Sequence, residues 1–396
     1  MVYFIIFLYL LITALKYTNE QNKQGFSLNV KISFVIFVCL AGLRYEIGVD
    51  WFAYQNSFVS ADSLNKVFSY SSYNDYALTN SFEPLYAIYQ NIIRSVTDDV
   101  QLLFFISSII STTCLFKSLS FFSSKRTLFW SLLIYFSFVY LLMEMQATRQ
   151  AMSAGFIYIA FKEFTNNKFK NTCFYLLIAF LFHYSAFFII IIFPFLKRKI
   201  SITIQITSIL ISLFIFIGQI EFFANLIKLF SSLFPMLAPV DRISGYLEKD
   251  YLVQRGFYIT FILYLFVYIL ILVVNKRTNH YFSEPHNIVC QNIYFFYLIY
   301  TMLFWEYSII SIRLGWILLF GLVVLMPKLL FEIKPNRRKS YVLFMVFFNF
   351  IVIRPFFFPT ITTKPFCPYQ NYISCKFFDA ESTGKRRAEE YLMEVK

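Results

Sequence analysis

Long apolar runs separated by short polar interludes dominate this chain. They lie near 2–15, 29–43, 100–119, 127–143, 147–163, 171–196, 201–220, 256–274, 289–306, 309–327 and 341–358. The runs are too continuous for half-buried strands, whose side chains would alternate, and most approach the roughly 20 residues a helix needs to cross a bilayer. The pattern predicts an all-α polytopic membrane protein of about 10–12 transmembrane helices. It predicts one integral membrane domain over 1–358, with outer segments 44–99 and 221–255, followed by a C-terminal tail over 359–396. The first run has no basic start and no small-residue cleavage site, so it reads as an uncleaved first span.

Two segments have a different periodicity. Leu85, Ile88, Ile92 and Val96 recur at helical spacing within 82–96 and predict an interfacial helix on the outer side. Phe222, Leu226, Leu229, Phe230 and Leu233 make a similar stripe in 221–237.

Basic residues between the runs set the sidedness, because Lys and Arg concentrate on the cytoplasmic face. Lys16, Lys23 and Lys31 follow the first run, which places the N-terminus outside. The segment 44–99 is acidic in balance and falls outside, as does Glu144. Lys117, Lys125, Arg126, Lys162, Lys168 and Lys170 fall inside. Lys197, Arg198 and Lys199 break the alternation, since one crossing over 171–196 would carry them outside. A break at His183-Tyr184-Ser185 returns them to the cytoplasm as a re-entrant hairpin, each half reaching about 18 Å. A plain long span that violates the charge rule is the alternative. Beyond it, 275–288 and 328–340 fall inside, Trp305-Glu306-Tyr307 forms an outer turn, and the segment from Arg354 falls outside.

Composition narrows the class. The chain of 396 residues is 59% hydrophobic and 14% charged, against about 45–50% and 25% in soluble domains. That excludes a soluble enzyme, a disordered chain and a nucleic-acid-binding module. The formal charge of +13 is then cytoplasmic-loop Lys and Arg. With only 10 Gly against 53 Phe and 29 Tyr, aromatic side chains must fill most helix contacts.

Chemical signatures are sparse. His183, His280 and His286 are too scattered for a zinc site. Cys367 and Cys375 lie close in a polar stretch and could pair if it faces an oxidising compartment. No Walker A, dinucleotide, zincin or nucleophile-elbow motif occurs, and no D-x-D that would hold a nucleotide-sugar metal. The expected reaction therefore uses energy stored in its substrate, with no metal or cofactor. What stands out is Arg44, Arg149 and Arg313 at the outer ends of apolar runs, with Glu46 and Asp50 beside Arg44. The plain alternative is that each Arg snorkels or pairs with Glu46, Glu83 or Glu144. Three at one level favour an anionic headgroup site, where the guanidinium fork suits pyrophosphate.

These residues also carry a resemblance. Arg44-Tyr45-Glu46-Ile47-Gly48-Val49-Asp50-Trp51 with Tyr54 comes first, then Phe82-Glu83-Pro84 and Arg149-Gln150-Ala151-Met152-Ser153-Ala154. Phe182-His183-Tyr184-Ser185-Ala186, Arg313-Leu314 and Pro368-Tyr369 follow in order. The set resembles the EpsG-like branch of the O-antigen and exopolysaccharide polymerases, the Wzy class. Val49 departs from the small or polar residue usual there, and nothing after 376 matches. The resemblance implies a GT-C-like membrane glycosyltransferase architecture in a bacterial inner membrane. It implies an undecaprenyl-pyrophosphate-linked oligosaccharide as substrate, joined to a growing chain on the periplasmic face, with a chain-length regulator as a further membrane partner. It implies Arg44, Arg149, Arg313, Tyr54, Glu83, Gln150 and Tyr369 as substrate-binding residues, and His183, Asp50 or Glu46 as the base. A lipid-linked oligosaccharide flippase and a membrane O-acyltransferase remain as rivals. The flippase should show repeat symmetry, which is not evident here.

Overall fold

The computed structural model describes residues 1–19, 24–62, 82–221, 225, 259–277 and 284–395. Regular secondary structure among them is helical, and one isolated bridge pairs Arg44 with Asn371. Most of the stripe expected over 221–237 lies outside the described residues.

Val100–Phe122, Leu128–Gln146, Thr260–Arg277 and Pro335–Phe357 are long and apolar enough to cross a membrane. Ile310–Leu318 and Phe320–Glu332 form a fifth candidate, bent by 43° where the sequence suggested one straight run. Val2–Tyr17, Phe26–Gly42, Phe169–Phe182, Ala186–Phe195 and Ile202–Ile217 are apolar but shorter. Phe26–Gly42, at 17 residues, rises about 25 Å against a hydrocarbon core of about 30 Å. Among the described residues there are therefore four or five full-length candidate spans, and the larger expected number depends on these shorter helices. Thr148–Thr165 and Pro285–Leu303 have the length but carry polar residues such as Gln150, Glu163, Asn287 and Gln291.

The chain divides into two compact units, Met1–Ile190 with Arg337–Lys396, and Ile191–Asn336. In the first, Leu128–Gln146 is buried along almost its whole length. Aromatic side chains fill the unit: Phe138 of this helix meets Phe348 edge-on at 4.9 Å, and elsewhere Phe156 stacks on Phe182 at 5.6 Å. A π-helical turn over Phe136–Tyr140 interrupts this helix. The contacts separate two ends of the unit. Tyr3 Oη donates to the Phe366 carbonyl at 2.8 Å, so the N-terminus meets the C-terminal segment that bridges Arg44. At the other end Trp130 Nε1 donates to Thr18 Oγ1 at 2.9 Å.

The helix Pro84–Arg94 forms as expected, but its stripe faces outward. Tyr86, Ala87, Gln90, Asn91 and Ile93 are buried, while Ile88, Ile92 and Val96 are exposed. A helix lying in a membrane interface would present such an apolar face to lipid. The run 171–196 breaks where predicted: Phe169–Phe182 ends at His183, which is extended (φ −160°, ψ 121°), and helix resumes at Ala186. Cys367 and Cys375 do not pair; both are free, and Cys367 is buried with Sγ donating to the Phe356 carbonyl at 3.3 Å.

In the second unit, amides and a phenol satisfy one another between apolar helices. Tyr268 Oη donates to Gln205 Oε1 at 2.6 Å, and Gln291 Nε2 donates to the same oxygen at 3.2 Å. Asn292 Nδ2 lies 2.8–3.1 Å from the carbonyls of Phe195, Leu196 and Arg198. Buried Lys328 donates to Asn287 Oδ1 at 2.6 Å. Unpaired, such groups would be costly away from water.

Candidate functional site

Three distant motifs meet at one carboxylate. Pro84 opens a helix at its first position and disfavours helical backbone before it, so Glu83 is extended (φ −62°, ψ 147°). The Glu83 side chain makes no cap bond to its own helix. It reaches His183 instead, with Oε1 2.6 Å from Nδ1, and its Oε2 pairs with Arg149 Nη1. The Tyr184 amide points at the same Oε1, 3.5 Å away. The break after Phe182 is what frees the His183 ring to face Glu83.

Arg149 stands in the first turn of Thr148–Thr165, where the helix dipole opposes a cation. Glu83 offsets that, and the guanidinium carbon lies 4.2 Å from the centre of the Phe82 ring. The Tyr54 hydroxyl accepts from the Arg149 amide at 3.4 Å. Arg149 Nε is buried and has no hydrogen-bond partner among the described residues. Burial of Glu83 works against its charge, but the His183 hydrogen bond and the Arg149 cation outweigh it and hold the carboxyl down at about 2.

Arg44 is placed differently. It is 1% exposed, donates to the Ala41 carbonyl at 2.6 Å and to Thr148 Oγ1 at 2.8 Å, and stacks 4.3 Å over the Phe104 ring. Its Nε has no hydrogen-bond partner among the described residues. Arg44 borders a tight crevice, too narrow to hold a water, together with Phe104, Ser107, Ser108, Ser111, Glu144, Thr148 and Ala151. Glu144 accepts there from Ser111 Oγ at 2.7 Å and from Tyr135 Oη at 3.3 Å. No ion pair joins Arg44 to a carboxylate among the described residues. Arg149 thus follows the plain pairing alternative with Glu83, while Arg44 is a buried cation hydrogen-bonded to neutral groups, with Glu144 on the same crevice. Thr148 and Arg149 adjoin, so one helix start carries contacts to both cations.

The C-terminal segment closes over the Arg44 loop. The Tyr45 amide donates to the Gln370 carbonyl at 3.0 Å, the Tyr372 amide to Leu43 at 2.8 Å and the Gly48 amide to Pro365 at 3.2 Å. Gly48 has φ 81°, and a Cβ there would lie 2.9 Å from the Met145 carbonyl oxygen, so this turn requires glycine. Tyr369 Oη donates to the Leu40 carbonyl at 3.0 Å. Glu46 accepts from Ser382 Oγ in the tail.

The structure thus gathers Arg149, Glu83, His183 and Tyr54 at one point, and Arg44 with Tyr369 at the neighbouring loop. Asp50 begins the helix Asp50–Ser60, half-buried, where the helix dipole favours a carboxylate. Gln150 is buried on the helix of Arg149. Arg313 belongs to the second unit, half-buried on Ser308–Leu318. Thr148, Phe104 and the crevice wall of Ser107 and Ser111 escaped the sequence reading, because Ser and Thr in an apolar run look like ordinary helix residues. Among the described residues, no three His, Cys, Asp or Glu side chains are grouped to hold a metal ion.

Comparison with known proteins gives one match. The model of the EpsG family covers residues 27–371, most of the chain and every motif above. No curated protein matches, and no solved structure matches.

Proposed function

The chain belongs to the EpsG family, and from that premise we propose that it is a polysaccharide polymerase joining undecaprenyl-pyrophosphate-linked oligosaccharide repeat units on the periplasmic face of a bacterial inner membrane. The observation that carries this reading is Glu83, bonded at once to His183 and to Arg149. Carboxylate, imidazole and guanidinium from three separated motifs make an acid–base and anion-binding constellation at a helix break.

The chemistry needs one proton acceptor and one anion clamp. An acceptor sugar hydroxyl attacks the anomeric carbon of the other chain's reducing-end sugar. The new glycosidic C–O bond forms as the anomeric C–O bond to pyrophosphate breaks, and its electron pair leaves with the lipid pyrophosphate. His183 takes the hydroxyl proton at Nε2, while Glu83 accepts from Nδ1–H and fixes the tautomer. Glu83, first read as a substrate ligand, becomes the residue that orients the base. Arg44 stabilises the growing charge, since no carboxylate among the described residues lies within ion-pair distance of its cation. Arg149 joins it at the pyrophosphate as the substrate enters. Val100–Phe122, Leu128–Gln146 and the shorter apolar helices cross or enter the bilayer, with Phe169–Phe182 and Ala186–Phe195 as a re-entrant pair.

The test is the surface-polysaccharide banding pattern of a deletion strain. The ladder of long chains should vanish and leave material carrying a single repeat unit; an unchanged ladder would refute the reading.

A further inference from the structure

The family match ends at residue 371, yet the chain beyond it turns back onto the matched region. Arg387 is 5% exposed although it stands in a helix, Gly384–Val395, of strongly charged sequence. Its Nη1 donates to the Pro368 carbonyl at 3.0 Å and lies 3.4 Å from that of Lys364. Its Nη2 pairs with Gln370 Oε1. One guanidinium therefore ties together three points of the 364–370 segment, and that segment holds the Arg44 loop. The Gln370 carbonyl takes the Tyr45 amide, the Pro365 carbonyl takes the Gly48 amide, and Asn371 bridges Arg44.

The rest of the tail has the same aim. A Cβ on Gly384 would sit 2.1 Å from the Glu46 carbonyl oxygen, so glycine is required where the tail meets the loop. Ser382 donates to the Glu46 carboxylate. Lys364 pairs with Glu390 at 2.8 Å and Glu394 at 3.2 Å, fastening the helix to the segment it clasps. An exposed ion pair alone adds little. A guanidinium fork buried on carbonyls is a different matter, because each severed bond leaves a polar atom unsatisfied.

We propose that Arg387 is a positioning residue for polymerisation, holding the 364–370 segment against the 43–48 loop so that Arg44 keeps its aim. The inference rests on the polymerase reading. Arg387 touches no substrate and acts only through Arg44.

A double-mutant cycle on the purified full-length protein, with lipid-linked repeat units as substrate, tests it. Arg387→Ala should lower kcat/KM about tenfold with Arg44 present and less than twofold in an Arg44→Lys background. Arg387→Lys should behave like the Ala variant, since a single ammonium nitrogen cannot reach acceptors that the guanidinium meets from two separate nitrogens. Hydrogen exchange supplies a second measurement free of activity: the Tyr45 and Gly48 amides should lose protection in Arg387→Ala. Equal losses in both backgrounds, or unchanged protection, would overturn the proposal. If the parent protein joins no units, the polymerase reading fails on its own, and amide protection still decides whether Arg387 holds the loop.

Discussion

The Glu83 carboxylate accepts from His183 Nδ1 across 2.6 Å, although the two residues lie 100 positions apart. This bond orients the ring of a histidine at a helix break, because a carboxylate only accepts and so assigns the proton to Nδ1.

The first prediction follows from that bond. His183→Ala should reduce polymerisation by about 10²–10⁴-fold, the usual worth of a positioned base. Glu83→Gln keeps the shape but removes the charge that orients the ring. It should bring a loss of similar order, and the double variant should be little worse than either single. Rates on purified lipid-linked units, at matched protein levels, check both points.

Glu83 also gives a pH prediction. Its carboxyl is depressed from 4.5 to about 2. The resulting stabilisation is fully present above pH 4.5 and is lost as pH falls through about 2; it amounts to about 3 kcal/mol. Thermal unfolding of the parent protein in detergent should therefore show no acid loss from this group between pH 7 and 4.5. Glu83→Gln should unfold more readily throughout that window, and the gap should close only towards pH 2. A gap that closes by pH 5 would mean that the carboxylate is not held by His183 and Arg149 as described.

Arg44 was legible in the sequence as an intramembrane-edge cation, and Glu83 as the acid in Phe-Glu-Pro. The meeting of Glu83, Arg149 and His183 was not legible, since no local spacing reports which of three acids neutralises which Arg. The helix break at His183 could be read from charge alone, because the alternation of basic clusters fails at Lys197, Arg198 and Lys199 if 171–196 is one crossing. The count of long spans could not. Hydropathy marks Val2–Tyr17 and Phe26–Gly42 as apolar, but where turns cut them depends on packing. The tail looked featureless because Arg387 works through backbone carbonyls, which leave no motif. The 82–96 stripe was visible, but periodicity cannot say whether an apolar face meets protein or lipid.

Arg44→Lys should lower polymerisation by about tenfold or more. The ammonium keeps the charge but cannot span the Ala41 carbonyl and Thr148 Oγ1 while stacking on Phe104. Thr148→Val should show part of the same loss, as it removes one of those acceptors. Normal polymer from Arg44→Lys at equal expression would remove Arg44 from the site.

Sidedness can be checked apart from chemistry. A cysteine placed at Asn74 should react with a membrane-impermeant reagent from the periplasmic side, and one at Asn279 should not. Both positions lie outside the described residues, and the prediction rests on the acidic balance of 44–99 and on Lys276 and Arg277. The reverse labelling would move the Glu83 cluster to the wrong face.

The last prediction separates joining from moving. A flippase must bind and release its cargo, whereas a polymerase must also deprotonate a hydroxyl. In the proposed polymerase the oriented imidazole of His183 serves only the second task. Asp50, at the start of its helix beside the Arg44 loop, is the other carboxylate to examine. In a strain carrying His183→Ala or Asp50→Asn, a stalled polymerase leaves single lipid-linked units on the periplasmic face, where they can still be transferred as a one-unit cap. A stalled flippase leaves them on the cytoplasmic face, out of reach of that transfer. Recovery of capped material without longer chains is the expected result for His183→Ala, because Arg44 and Arg149 remain to bind the headgroup. Units confined to the cytoplasmic leaflet would show that the cluster serves transport, and the assignment of His183 as a base would fall with the polymerase reading.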